Sequence, residues 1–213
     1  MSHNKQFPNS IYNEFRTVEI LVNSPYTTGR TDAFVIAWVK SERQVRRIFS
    51  YLIYQYPIFE KKDVPSIIQT IASNNNLYFN DFIDKFNRLY PKTYKDIIGS
   101  SYDLLKADLD GINSFRNKIF HGQPTGHSLT ARQLCNEIEK IQRWCFEVAK
   151  KMQIEIGYDG FTRNSFRKST NENFASDYKL QIKSVDELSA FLTKRKARHR
   201  YTTSASKVEI KNK

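Results

Sequence analysis

Cysteine occurs twice in these 213 residues, glycine seven times and proline six times. Each scarcity rules something out. Cys135 and Cys145 stand ten positions apart on one predicted helix, about 15 Å along its axis at 1.5 Å per residue. A disulfide needs Cα atoms within about 7 Å, so the two do not bridge each other, and Cys145, on an apolar stripe, reads as a small buried hydrophobe. The four histidines (His3, His121, His127, His199) and two cysteines have no zinc-type spacing. Walker loops, dinucleotide fingerprints and nucleophile elbows are also missing. We therefore expect no metal and no cofactor. No apolar run approaches the ~20 residues of a membrane span. The start Met1-Ser2-His3-Asn4-Lys5-Gln6 has no apolar core of a secretory leader. The expectation is a soluble, cytoplasmic protein without a membrane partner.

What is abundant is leucine, isoleucine, phenylalanine and tyrosine in helical register, together with positive charge. The net charge is +12. Residues 1–150 carry 20 basic and 15 acidic side chains, whereas residues 151–213 carry 14 and 7. A cationic end of this kind suits a polyanion such as nucleic acid, or an acidic protein; a solubilising tail is the plainer alternative.

Three long stripes define the fold class. The first helix is expected near 32–56, with Asp32 as N-cap. Its stripe is Val35, Trp38, Val45, Phe49, Leu52 and Tyr56, and Pro57 stops it. The second, near 101–121, shows Leu105, Leu109, Ile112 and Ile119. The third, from about Thr130 to 153, runs Leu134, Ile138, Ile141, Cys145, Val148 and Met152, a spacing that packs nearly antiparallel along a seam. Shorter helices are expected after Asp63-Val64-Pro65, at about 80–90 and at about 92–99. The run 15–22 reads as a strand, and a second strand at 178–183 is placed to pair with it. Ser184 and Glu187 have capping-box spacing and open a further helix that ends in Lys194-Arg195-Lys196-Ala197-Arg198-His199-Arg200. The chain thus divides into an irregular segment with one strand (1–30), an α-helical bundle (31–153), a small basic α/β extension (154–201) and a disordered tail (202–213).

Two polar residues interrupt the stripes. Arg116 lies four after Ile112 and three before Ile119, and Glu42 lies four after Trp38 and three before Val45. A charge at such a position is costly unless it is paired or works beside water. Glu42 either pairs with Arg116 or sits near a shared pocket; a bond to Arg46, one turn along its own helix, is the equally simple alternative. Asn117 follows Arg116, and His121 comes five residues after the arginine, about 140° further round the helix. Gly122 and Pro124 then end the helix, so His121 falls in its last turn, where the macrodipole favours a protonated imidazole. A guanidinium suits phosphate oxygens, and an imidazole near neutrality suits proton transfer.

The run Arg116-Asn117 followed by His121, with four residues between Arg and His, resembles the signature of the HEPN superfamily (higher eukaryotes and prokaryotes nucleotide-binding) over about residues 31–152. The resemblance implies a HEPN-like helical bundle and a metal-independent endoribonuclease with Arg116, His121 and Asn117 as its catalytic residues and Glu42 in support. It further implies cleavage by 2′-OH attack to 2′,3′-cyclic phosphate and 5′-OH ends, in toxin–antitoxin or antiviral defence. It implies a homodimer, because one histidine is too few for two proton transfers. Some toxins of this family carry a tyrosine two residues after the histidine, a site of modification by a partner transferase; Gln123 stands there, which speaks against that mode of control. The alternative is a non-catalytic HEPN-like module that binds nucleotide or nucleic acid, or a subunit of a defence complex. Arg163, Arg167, Lys168, Lys194, Arg195, Lys196, Arg198 and Arg200, interleaved with or following Phe161 and Phe166, are the expected RNA contacts. The same tail also suits an acidic antitoxin.

Overall fold

The chain's structure, a computed structural model, describes residues 9–74, 77–120, 130–171, 174 and 177–194. All regular elements among these residues are helical. They are α1 (Asn9–Val22), α2 (Gly29–Tyr54), α3 (Val64–Ala72), α4 (Phe79–Leu89), α5 (Tyr94–Ile98), α6 (Tyr102–Phe120), α7 (Ala131–Ile156) and α8 (Val185–Thr193), with short 3-10 turns at Lys61–Asp63 and Gly99–Ser101. The all-α architecture and the three long helices agree with the stripes. α2 packs against α1, α4 and α7, and α6 lies along α7.

Local chemistry explains the ends. Thr130 caps α7 reciprocally: its hydroxyl accepts from Gln133 N at 3.2 Å and its own amide donates to Gln133 Oε1 at 2.8 Å. Gly157 closes the same helix in the left-handed region, at φ 73°. Pro65 occupies the first turn of α3, where its missing N–H costs nothing. α2 starts three residues earlier than Asp32 suggested, because the turn after α1 brings the chain very close at Gly29. A Cβ there would meet Ser24 Oγ at 2.2 Å and Leu21 O at 2.7 Å.

The strand expected at 15–22 is instead the C-terminal part of α1. Its β-branched content misleads, but Ile11, Phe15 and Val18 step by four and three, and all three are buried. That face packs on α2, while Tyr12 and Ile20 stay exposed. Residues 9–30 are therefore part of the bundle. The second expected strand is also absent among the described residues: 178–183 is irregular, fastened by Lys179 N to Leu89 O (2.9 Å) and by the Tyr56 hydroxyl to Leu180 O (2.7 Å). Among the described residues the extension is thus helical and irregular, not α/β; its one regular element there is α8, where the Ser184 hydroxyl caps Glu187 N.

Cys145 is buried and Cys135 half-buried, both as free thiols. Burial pushes the Cys145 thiol well above its usual range. No described helix is long and apolar enough to cross a membrane.

Candidate functional site

Three elements meet around Arg116. On α6, Leu105, Leu109 and Ile112 fill the stripe and are buried, and Arg116 continues it with its side chain 19% exposed. On α2, Trp38 and Glu42 are one turn apart and face it. The start of α4 supplies Tyr78, Phe79, Asn80 and Asp81. A cleft of about 570 Å³ opens between them, and both Arg116 and Asn117 line it. A second depression of about 260 Å³ adjoins the pair, lined by Glu42, Arg116, Arg46 and Tyr78 among others.

The guanidinium is held on several sides. Its Nη2 donates to Glu42 Oε1 at 2.9 Å and its Nη1 to Asn117 Oδ1 at 2.8 Å. Its centre sits 5.7 Å from the Trp38 ring and 4.8 Å from the Phe120 ring, both within cation–π reach. Nε–H is enclosed without an acceptor among the described residues. Glu42 therefore pairs with Arg116, not with Arg46, which instead lies over the Phe82 ring at 5.5 Å.

Two of a guanidinium's five N–H donors are thus engaged, and Arg116 lines the cleft. Such an arrangement is prepared to take an anion with little reorganisation. Asn117, at the rim, both orients the guanidinium and faces the cleft. His121, with Gly122, Gln123 and Pro124, lies outside the described residues, so the Arg–His half of the motif is placed only up to Phe120.

The other expected RNA contacts divide. Arg195, Lys196, Arg198 and Arg200 lie outside the described residues, while Lys194 and Arg167 are exposed. Arg163, partly buried, and Lys168, itself exposed, both donate to groups of the chain. The Arg163 guanidinium donates to Gly157 O at 2.5 Å and Tyr51 Oη at 3.2 Å and rests on the Tyr51 and Tyr158 rings. Lys168 Nζ donates to Tyr54 O (2.6 Å) and Tyr56 O (3.0 Å), carbonyls at the end of α2. Desolvation there lowers its pKa. These two cations fasten the extension to α2, and the aromatic–cation interleaving seen in the sequence is packing at those positions. Among the described residues no His, Cys, Asp or Glu cluster is arranged to hold a metal ion.

Sequence reasoning missed Tyr78, Asn80, Asp81 and Asp110. One signal was available: Leu109 and Arg116, like Asp110 and Asn117, are seven apart and therefore share a helix face, so Asp110 had to border the same cleft. Tyr78 carries no such mark among the twelve tyrosines.

Comparison of the chain with family models, with curated proteins and with solved structures finds no match.

Proposed function

We propose that the protein is a metal-independent endoribonuclease of the HEPN type, working in toxin–antitoxin or antiviral defence. The observation that carries the reading is Arg116, oriented by Glu42 and Asn117 on the wall of a cleft large enough for a nucleotide. In this account Arg116 binds the non-bridging oxygens of the scissile phosphate and stabilises the charge that grows on the phosphorane. Glu42 and Asn117 position it. His121 moves the protons. The 2′-oxygen attacks phosphorus as its proton passes to one imidazole, and the P–O5′ bond breaks as a second, protonated imidazole gives its proton to the 5′-oxygen. The products are a 2′,3′-cyclic phosphate and a 5′-OH. Two imidazoles require two protomers, so the active species is a homodimer with the α6 helices facing each other.

A second reading has its own support. Glu42 neutralises much of the Arg116 charge, which suits a module that binds nucleotide or nucleic acid without cutting it, or a subunit of a defence complex. Incubation of the purified protein with total RNA in EDTA separates the two. Cleavage to cyclic-phosphate ends supports the nuclease, and retardation without cleavage supports the binding module. Light scattering that finds only monomer at concentrations where cleavage is robust would overturn the dimer.

A further inference from the structure

The two depressions beside Arg116 share an exposed wall that the reaction scheme leaves unused. Tyr78, just ahead of α4, is 61% exposed and lines both. Its ring packs on no other ring among the described residues. An aromatic left open at a cleft mouth, beside a guanidinium poised for phosphate, is the pairing that unstacked bases use.

The walls on either side differ in charge. On the smaller side stands Arg46, one helical turn from Glu42, roughly 6 Å along the α2 axis. Because Glu42 is taken by Arg116, the Arg46 guanidinium is exposed and has no carboxylate partner among the described residues. On the larger side stand two carboxylates. Asp81 spends Oδ2 on the Tyr78 amide (3.0 Å), and Asp110 shares its oxygens with Lys106 Nζ (2.6 Å) while remaining half exposed. Carboxylates only accept hydrogen bonds. They suit a base edge that offers donors and oppose one bordered by carbonyls.

We infer that the two depressions are one track for single-stranded RNA, in which Tyr78 stacks a base whose donor edge faces Asp81 and Asp110, and Arg46 holds a neighbouring phosphate. Guanine fits best, because its N1–H and N2–H groups lie side by side and both point at one carboxylate. Uracil, whose N3–H sits between two carbonyls, fits worst. The inference rests on the proposed RNA reading of the Arg116 site and adds the form and base preference of the substrate.

The test is binding, read apart from cleavage. In a His121→Ala background, labelled single-stranded oligonucleotides rich in guanosine or in uridine, and a duplex of equal length, are titrated by anisotropy in EDTA; a strand carrying 2-aminopurine reports stacking. The guanosine strand is expected to bind tightest and the duplex weakest, with 2-aminopurine quenched on binding. Tyr78→Ala should weaken binding about tenfold and abolish the quench, while Tyr78→Phe retains both. Arg46→Gln should lower the log–log salt slope by roughly 0.7. Since Tyr78 and Arg46 are exposed, unchanged circular dichroism is expected for all three variants. Binding and quench that survive Tyr78→Ala overturn the inference, as does a uridine strand that binds as tightly as the guanosine strand, or an absence of RNA binding. If the unmutated protein cleaves RNA while Tyr78→Ala changes nothing, the track falls and the nuclease stands. If Tyr78-dependent binding occurs without any cleavage, the nuclease falls and the track stands.

Discussion

At position 116 a guanidinium stands where helical spacing asks for an aliphatic side chain, and Glu42 stands at the equivalent place on α2. Each exception explains the other. Two charges removed from much of their water are tolerable only together, and the pair is 2.9 Å apart with both side chains about four-fifths covered. Glu42→Ala leaves Arg116 largely covered and without its carboxylate, at a cost of about 1–3 kcal/mol; Arg116→Ala leaves Glu42 without its cation. The double variant should cost less than the sum of the two, with a coupling of about 1–2 kcal/mol in a urea-denaturation cycle. Additive losses would show that the two residues do not depend on each other. The polar interruptions were visible in the sequence because a helical stripe predicts what each position ought to hold. The partner was not, since Glu42 is equally well spaced to reach Arg46. Only the packing of α6 beside α2 decides between them.

Among the elements, α2, α6 and α7 were readable because each has enough turns for its period to stand clear of chance. α1 was not: eight residues of mixed β-branched and charged type alternate nearly as well as they spiral. The helix wins because Ile11, Phe15 and Val18 together find a buried surface on α2, which local propensity does not contain. Phe15→Ala should cost about 3–5 kcal/mol, measured by thermal or urea unfolding. A loss below about 1 kcal/mol would place α1 outside the core. The extension was misread for a related reason. Two of its cations, Arg163 and Lys168, donate to backbone carbonyls, a fastening that spacing along the chain does not reveal. The last two turns of α2 are buried on all sides, from Ile48 to Tyr54, because the extension covers the face the other helices leave open.

Across the whole molecule, buried phenols are expected to set the alkaline limit. Burial raises the pKa of Tyr56, Tyr94, Tyr158 and Tyr178, with Tyr158 pushed up to about 12. The unfolded chain ionises these groups first, near pH 10, so their contribution to stability is complete below that pH and is lost as pH rises toward the folded values. Lys85 acts in the opposite sense. Its ammonium, bonded to Phe191 O and Lys194 O at the end of α8, is lowered to about 8, chiefly by desolvation. Between about pH 8 and its ordinary value of 10.5 the unfolded chain holds the proton that the folded chain has released, so this group makes stability rise with pH in that window. Lys85→Met should therefore remove a rise in urea midpoint above pH 8. In both proteins the four phenols should ionise together with unfolding, seen as one cooperative step in tyrosinate absorbance. Gradual titration of these phenols in the folded state would contradict their burial.

The proposed chemistry depends on Arg116 and His121. Single-turnover cleavage of a labelled RNA strand in EDTA, with the ends identified, compares the unmutated protein with Arg116→Ala and His121→Ala at matched circular dichroism. The account predicts 2′,3′-cyclic phosphate ends and a loss of at least about 100-fold in rate for each variant. Cleavage that EDTA abolishes, or that His121→Ala leaves near the unmutated rate, would contradict it.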